Sequence, residues 1–231
     1  MSYILSALLD FISPRACRLC GKRLGVADKE ICAVCNWHLP RTNFVDNPYD
    51  NTMSRLFWGR FDVERSAALY YYQSHGNPSK LIYDLKYHGK KDIGEWLGHL
   101  VAEEFKVKDF FEDIDAIVPV PITWKRKYSR GYNQSESIAR GVNAVTGIPV
   151  FRKALKRTRF TESQTQVTPS ERFKNVEGAF RLEDKDKISG KHILIVDDVA
   201  TTGSTISSCA KELLKAGNVK ISVLTIAITK M

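Results

Sequence analysis

No run of apolar residues in the 231-residue chain approaches the ~20 needed to cross a bilayer as a helix, which excludes an integral helical membrane protein. Internal repeats and low-complexity segments are absent too. With 43% hydrophobic and 26% charged residues, the composition is that of a globular chain and not of a fibrous or disordered one. The opening MSYILSALLD lacks the basic n-region of a signal peptide, and no small-residue cleavage site precedes Cys17. It reads as a short amphipathic helix packing on its own protein, and the expected location is cytoplasmic. Cysteine is scarce, five residues in all, and any disulfide framework would have to draw on those few. A chain of this length buries a sizeable core without such staples.

Acidic residues are in deficit: 26 against 35 lysines and arginines, a formal charge of +9. Thirteen basic and four acidic residues lie between Pro121 and Arg181, so one segment holds the whole excess of nine. That favours anionic partners, whether phosphate esters, nucleic acid or an acidic surface. The length suits one medium domain of ~100 to ~200 residues with a small attachment.

Four cysteines form a pattern: Cys17-x-x-Cys20, eleven residues, then Cys32-x-x-Cys35. Two such knuckles place four thiolates around one Zn²⁺ at ~2.3 Å. A disulfide framework would need an oxidising compartment, to which nothing directs the chain. A redox CxxC does not explain two pairs at ribbon distance. Four protein ligands leave no open position, so the expected zinc is structural. His38 reads as a surface or packing residue and Cys209 as a small buried hydrophobe.

Residues 1–60 are therefore expected to hold an N-terminal helix, the four-cysteine zinc ribbon and a linker through Arg60; residues 61–231 form the larger domain. Ser66 to Tyr72 alternates as a first strand, and apolar residues from Pro78 to Phe105 recur at helical spacing with a break at His88-Gly89. Asp115 to Val120 is a short strand, followed by a basic loop through Arg130 and a helix over Asn133 to Val145. Residues 152–178 read as a long polar loop. His192 to Val196 and Ile221 to Ile228 are buried strands flanking a helix over Thr205 to Ala216. Strands alternating with helices predict an α/β fold, a parallel sheet covered on both faces.

The strongest signal is Ile193 to Thr205, ILIVDDVATTGST. A hydrophobic strand ends in two carboxylates, and a Thr/Gly/Ser turn then enters a helix. Ligands of parallel sheets sit beyond the carboxyl ends of the strands, where Asp197 and Asp198 emerge. The turn from Ala200 to Thr205 offers backbone N–H groups, hydroxyls and a helix N-terminus to a phosphate. Carboxylates beside such a turn suit sugar hydroxyls. A P-loop is excluded because no Gly-Lys-Ser/Thr follows.

This run resembles the phosphoribosyl pyrophosphate (PRPP) motif of type I phosphoribosyltransferases. The resemblance implies that Asp197 and Asp198 bind the ribose hydroxyls, that Ala200, Thr201, Thr202, Gly203, Ser204 and Thr205 wrap the 5′-phosphate, and that Val199 between them belongs to the same PRPP-binding run. Leu85-Lys-Tyr-His-Gly89, Val118-Pro-Val-Pro121, Arg130-Gly-Tyr-Asn-Gln134 and Asn175-Val-Glu-Gly-Ala-Phe180 stand in order around it. With the leading cysteines, the set resembles the ComF competence family over nearly the full chain. That implies a type I phosphoribosyltransferase fold with an N-terminal zinc ribbon, PRPP as ligand, Mg²⁺ with it, and a part in DNA uptake beside competence-pathway proteins. The ribbon is expected where related enzymes put a substrate-covering hood. Arg157 to Lys174 matches the loop that closes over the site in that superfamily. Gln164, Arg172 and Lys174, with Arg126 and Arg130 from the other side, are the implied pyrophosphate contacts. Trp124, Tyr128 and Tyr132 interleave with Lys125, Arg126, Lys127 and Arg130. Such rings either stack on single-stranded DNA bases or anchor a loop, and the sequence favours neither.

Overall fold

The computed structural model of the protein describes residues 14–74, 76–87, 91–158 and 178–230. The expected N-terminal helix, the His88-Gly89 break and most of the 152–178 loop, including Gln164, Arg172 and Lys174, lie outside those residues.

The sheet has four parallel strands: β1 (Ser66–Tyr72), β2 (Ala116–Pro119), β5 (His192–Ala200) and β6 (Lys220–Thr229), in the order β1-β6-β5-β2. Strand β5 runs between β6 and β2, with Ile193 opposite both Ile221 and Ala116. Central parallel strands are covered on both faces, which demands unbroken apolar runs. Ile193 to Val196 and Ile221 to Leu224 supply them, apart from Ser222, whose Oγ lies 2.9 Å from His192 Nε2.

Crossover helices cover the sheet. The expected pair is present as α3 (Asn77–Tyr87) and α4 (Lys91–Lys106). Helix α4 packs on α6 (Gln134–Thr146) with backbones in contact. A Cβ on Gly98 would sit 2.1 Å from the Ile138 carbonyl oxygen, and one on Gly141 would sit 2.1 Å from that of Glu95. Only glycine permits that approach. Asn133 caps α6 by accepting from the Ser135 N–H. The short α7 (Lys185–Ile188) leads into β5, and α8 (Ser204–Leu214) returns β5 to β6.

Three segments differ from their sequence reading. The basic loop after β2 is largely a helix, α5 (Trp124–Arg130), because Thr123 accepts from the Arg126 N–H and starts it. The start of the polar stretch 152–178 pairs with the residues beyond it: β3 (Leu155–Arg157) and β4 (Phe180–Leu182) form an antiparallel ladder, Leu155 opposite Leu182. The linker is not a tether. It holds a 3₁₀ turn (Phe44–Asp46) and helix α2 (Thr52–Arg55), and it buries Met53 and Phe57 completely. A capping box at Asn51 and Ser54 fixes α2, so the hydrophobic effect and the reciprocal hydrogen bonds of that one cap, not spacing alone, order this segment.

The ribbon carries α1 (Ala33–Trp37) and rests on α3 and α4. Arg41 donates from Nε and Nη2 to the Glu104 carboxylate, at 3.0 and 2.6 Å, and from Nη1 to the Asn36 carbonyl. Lys80 Nζ donates to the Leu19 carbonyl. No helix among the described residues is long and apolar enough to cross a membrane.

Candidate functional site

Strand β5 is buried from His192 through Val196 and emerges at Asp197. There it forms one wall of a cavity of about 350 Å³ at the carboxyl end of the sheet. Asp197, Asp198, Val199, Thr201 and Thr205 line it, and so do Arg126 and Arg130 of α5. Lys86, Gln134, Ser135 and Arg157 complete the polar wall. Three elements far apart in the chain thus bring cations to face two adjacent acids.

The two acids are held differently. Asp197 Oδ1 accepts from Ser135 Oγ and from the Asp198 N–H, both at 2.9 Å. Burial, together with the neighbouring Asp198 charge, pushes its carboxyl up to about 7 against the pull of Ser135 and Lys86. Asp198 has a built-in counter-ion, Lys86 Nζ, 3.2 Å from Oδ2. Arg130 Nη1 donates to Gln134 Oε1 at 3.0 Å, which fixes its head beside the cavity. Burial lowers the pKa of Arg157, and the nearby Arg126 adds to that shift. With Arg130, three guanidiniums thus line the cavity.

The turn after β5 is braced from behind. Gly203 adopts φ +71°, and a Cβ there would meet the Phe57 ring at 3.0 Å. Arg60 Nη1 donates to the Thr202 carbonyl at 2.6 Å. Thr202 Oγ1 and Ser204 Oγ lie 2.8 Å apart. Thr202 through Ser204 therefore shape the turn from behind, Ala200 is buried, and Thr201 and Thr205 face the cavity. The first turn of α8 opens here, and a helix N-terminus presents unpaired N–H groups to an anion.

Some lining residues are not singled out by the sequence. Lys86 stands in the quoted run Leu85 to Gly89 and Gln134 in Arg130 to Gln134, but the pattern gives neither a role. Ser135 and Arg157 give no separate signal. The aromatic trio splits. Tyr132 is buried, its hydroxyl donates to the Leu85 carbonyl, and burial raises its pKa to about 12. Trp124 and Tyr128 are 76% and 80% exposed and stack on each other at 5.6 Å.

The four ribbon cysteines converge. Their sulfurs all lie within 4.8 Å of one another, and Cys20 and Cys32 are 3.9 Å apart. A tetrahedron of ~2.3 Å metal–sulfur bonds has edges of ~3.8 Å, so the donor set fits Zn²⁺. Burial opposes ionisation of Cys17, yet the N–H groups of Cys20, Cys32 and Leu19 outweigh it and lower the thiol to about 6. Burial and crowding by Cys20 and Cys32 push Cys35 above the ordinary thiol range. Four thiolates at this spacing need a cation among them. His38 is not in the cluster, and Cys209 is fully buried in α8.

Residues 102–230 match the family described as phosphoribosyl transferase domain. The chain is 31% identical over 221 residues to the DNA utilization protein YhgH of Escherichia coli (strain K12), spanning 91% of this chain and 95% of that one. It is 34% identical over 114 residues to competence protein F of Haemophilus influenzae, covering 49% of this chain and 50% of that one. Over 101 residues it is 29% identical to competence protein ComFC of Bacillus subtilis (strain 168), covering 44% and 39%. A parallel sheet with two acids and a Thr/Gly/Ser turn at its carboxyl edge, a four-cysteine knot before it, and these relatives agree: the chain belongs to the phosphoribosyl transferase domain family, as a ComF-like member of type I.

Proposed function

We propose that the cavity binds PRPP and that the protein transfers its phosphoribosyl group to a nitrogen acceptor, releasing pyrophosphate, in a cytoplasmic step of DNA uptake. One observation carries the reading: adjacent acids at the end of a central strand open directly into a hydroxyl-rich helix N-terminus, with cations facing them across 350 Å³. Asp197 and Asp198 accept from the ribose hydroxyls. Thr201, Thr205 and the first turn of α8 hold the 5′-phosphate, while Thr202 through Ser204 keep the turn in shape. Arg126 and Arg130 face the diphosphate, and we place Gln164, Arg172 and Lys174 as further contacts to it.

Among the described lining residues the side-chain oxygens are those of the acids, already engaged with Ser135 and Lys86, the Gln134 amide, engaged by Arg130, and hydroxyls. They make no cage, which suits Mg²⁺ carried by the diphosphate. When bound, Mg²⁺ neutralises charge on the leaving group. The chain's own work is to orient the ribose, to stabilise departing negative charge with arginines and to keep water from the anomeric carbon. No nucleophilic side chain is needed. The DNA-uptake assignment is supported by relatives named for competence and DNA utilization. The zinc ribbon is structural in this reading.

Calorimetry with PRPP and Mg²⁺ tests the site: saturable binding to the full chain, weakened at least ~10-fold by Asp198→Asn, is expected from loss of charge-assisted hydrogen bonds. Equal heats for wild type and variant would reject it.

A second reading has its own observation. The stacked, exposed Trp124 and Tyr128 stand among Lys125, Arg126 and Lys127 on α5. Aromatics among cations bind single-stranded DNA by stacking and phosphate neutralisation. Here PRPP would be a regulatory ligand of a competence accessory protein. Oligonucleotide affinity should then fall steeply with salt; salt-independent binding would count against it.

A further inference from the structure

Three residues of the segment before β1 stand behind the turn that follows β5. A Cβ on Gly203 would lie 3.0 Å from Phe57 Cε1, 3.4 Å from Leu56 Cβ and 3.5 Å from Arg60 Nη1. These three are tied to one another. The Arg60 N–H donates to the Phe57 carbonyl at 2.9 Å, around Gly59 at φ +70°. The fully buried Phe57 ring meets that of Phe61 at 5.0 Å. The Leu56 N–H donates to the carbonyl of Met53, whose sulfur lies 4.0 Å from Thr225 Oγ1 of β6. From this platform Arg60 Nη1 reaches the Thr202 carbonyl, 142 residues on, yet Arg60 does not itself line the cavity.

The direction of that carbonyl decides what the turn offers an anion. No peptide of the described residues is cis, and in a trans unit the C=O and the N–H point opposite ways. With the Thr202 oxygen drawn back by Arg60, the Gly203 N–H points away from Arg60. Glycine takes either sign of φ about equally readily, so this peptide can turn over at little steric cost. Turned over, it would set an acceptor oxygen where a phosphate needs a donor. Thr202 Oγ1 and Ser204 Oγ are engaged with each other at 2.8 Å and leave the carbonyl to Arg60.

We propose that Arg60 is a positioning residue for the 5′-phosphate. It locks the Thr202–Gly203 peptide so that the Gly203 N–H, with those of the first turn of α8, meets a phosphate monoester, and it never touches the ligand. This rests on the phosphoribosyl reading of the cavity. It also gives the segment between ribbon and sheet a share in the phosphate site, which pattern alone leaves as a linker. Hydrogen bonds from a guanidinium are of the strong kind, and apparent affinity falls with the fraction of molecules in the competent conformation. Loss of this bond should therefore weaken phosphate-monoester binding about ten-fold or more.

The test uses the full chain with ribose 5-phosphate and with pyrophosphate and Mg²⁺, read by calorimetry and by ¹⁵N NMR. Arg60→Met should weaken ribose 5-phosphate about ten-fold or more. Pyrophosphate, which on the phosphoribosyl reading meets Arg126 and Arg130, should stay within about three-fold. Arg60→Lys keeps a charged donor and should recover most of the loss. The Gly203 amide proton should move downfield as ribose 5-phosphate binds the wild type and stay in place in Arg60→Met. Arg60 is half-buried at the surface, and a Tm measured on each variant separates unfolding from lost affinity. Equal ribose 5-phosphate affinity in wild type and Arg60→Met, or equal loss of both ligands, would overturn the proposal alone. A wild type that binds no ribose 5-phosphate would fail the phosphoribosyl reading itself and take the proposal with it.

Discussion

The molecule holds two crowded sets of acidic groups and handles them in opposite ways. In the ribbon, four thiols point to one centre within 4.8 Å, and the cluster consists of thiols alone. In the cavity, two adjacent carboxyls meet Lys86, 3.2 Å from Asp198, and a serine hydroxyl, and Asp197 stays only partly ionised near neutrality. A cluster made only of acids must take a cation from outside and keep it, which suits a closed structural metal site. A cluster that neutralises itself can stay open, release its lysine and exchange a ligand. On the proposed reading, the same contrast separates what holds the protein together from what it works with.

The largest expected effect breaks the first half of that comparison. Chelation of zinc, or Cys17→Ser, removes the centre of the ribbon. That should cost at least ~2 kcal/mol, roughly 4–8 °C in Tm, by calorimetric scanning with metal content measured in parallel. A protein isolated without zinc and with unaltered Tm would contradict it. Next comes the turn after β5. Gly203→Ala forces a left-handed φ and a 3.0 Å contact with Phe57, at a cost of about 1–2 kcal/mol, and it should weaken PRPP binding at the same time. If Tm falls but PRPP affinity holds, the turn is only structural.

The pH dependence sharpens the other half. Below ~3.9 Asp197 is protonated in both folded and unfolded chains. As pH rises towards 7 the unfolded chain ionises while the folded one keeps its proton, so the stability this group contributes is lost over that window and stays lost above it. Asp197→Asn should therefore gain stability on wild type as pH goes from 4 to 7 and hold a constant lead beyond. Lys86→Met removes the nearby cation and should move the midpoint above 7. A wild-type and Asn-variant pair with parallel stability curves would remove the argument. The smallest effect is expected from Arg126→Ala, a cavity-edge charge, which should weaken PRPP binding a few-fold with a shallower salt dependence in the same titration.

What the sequence made readable follows the same division. The acids and their turn are contiguous, from Ile193 to Thr205, and the knuckles repeat a two-residue spacing, so each announces its chemistry locally. The cationic side does not. Lys86 lies near the end of α3, Arg126 and Arg130 sit on α5, and Arg157 ends β3, so only the folded sheet order brings them together. The same reason hid the role of Arg60, whose partner Thr202 is 142 residues away. Helix α5 leaves no mark in the sequence because its seven residues bury none of their side chains, and without an apolar stripe there is no periodicity. Tyr132 differs from Trp124 and Tyr128 through burial and its hydrogen bond to the Leu85 carbonyl, 47 residues away, which no local pattern encodes.

The most direct measurement is a crystal structure of the full chain with PRPP and Mg²⁺. The ribose hydroxyls should lie within hydrogen-bond distance of Asp197 and Asp198, with Lys86 swung away from Asp198 and the 5′-phosphate at Thr201, Thr205 and the first turn of α8. A phosphate bound elsewhere, with the Lys86–Asp198 pair intact beneath an empty turn, would contradict the account.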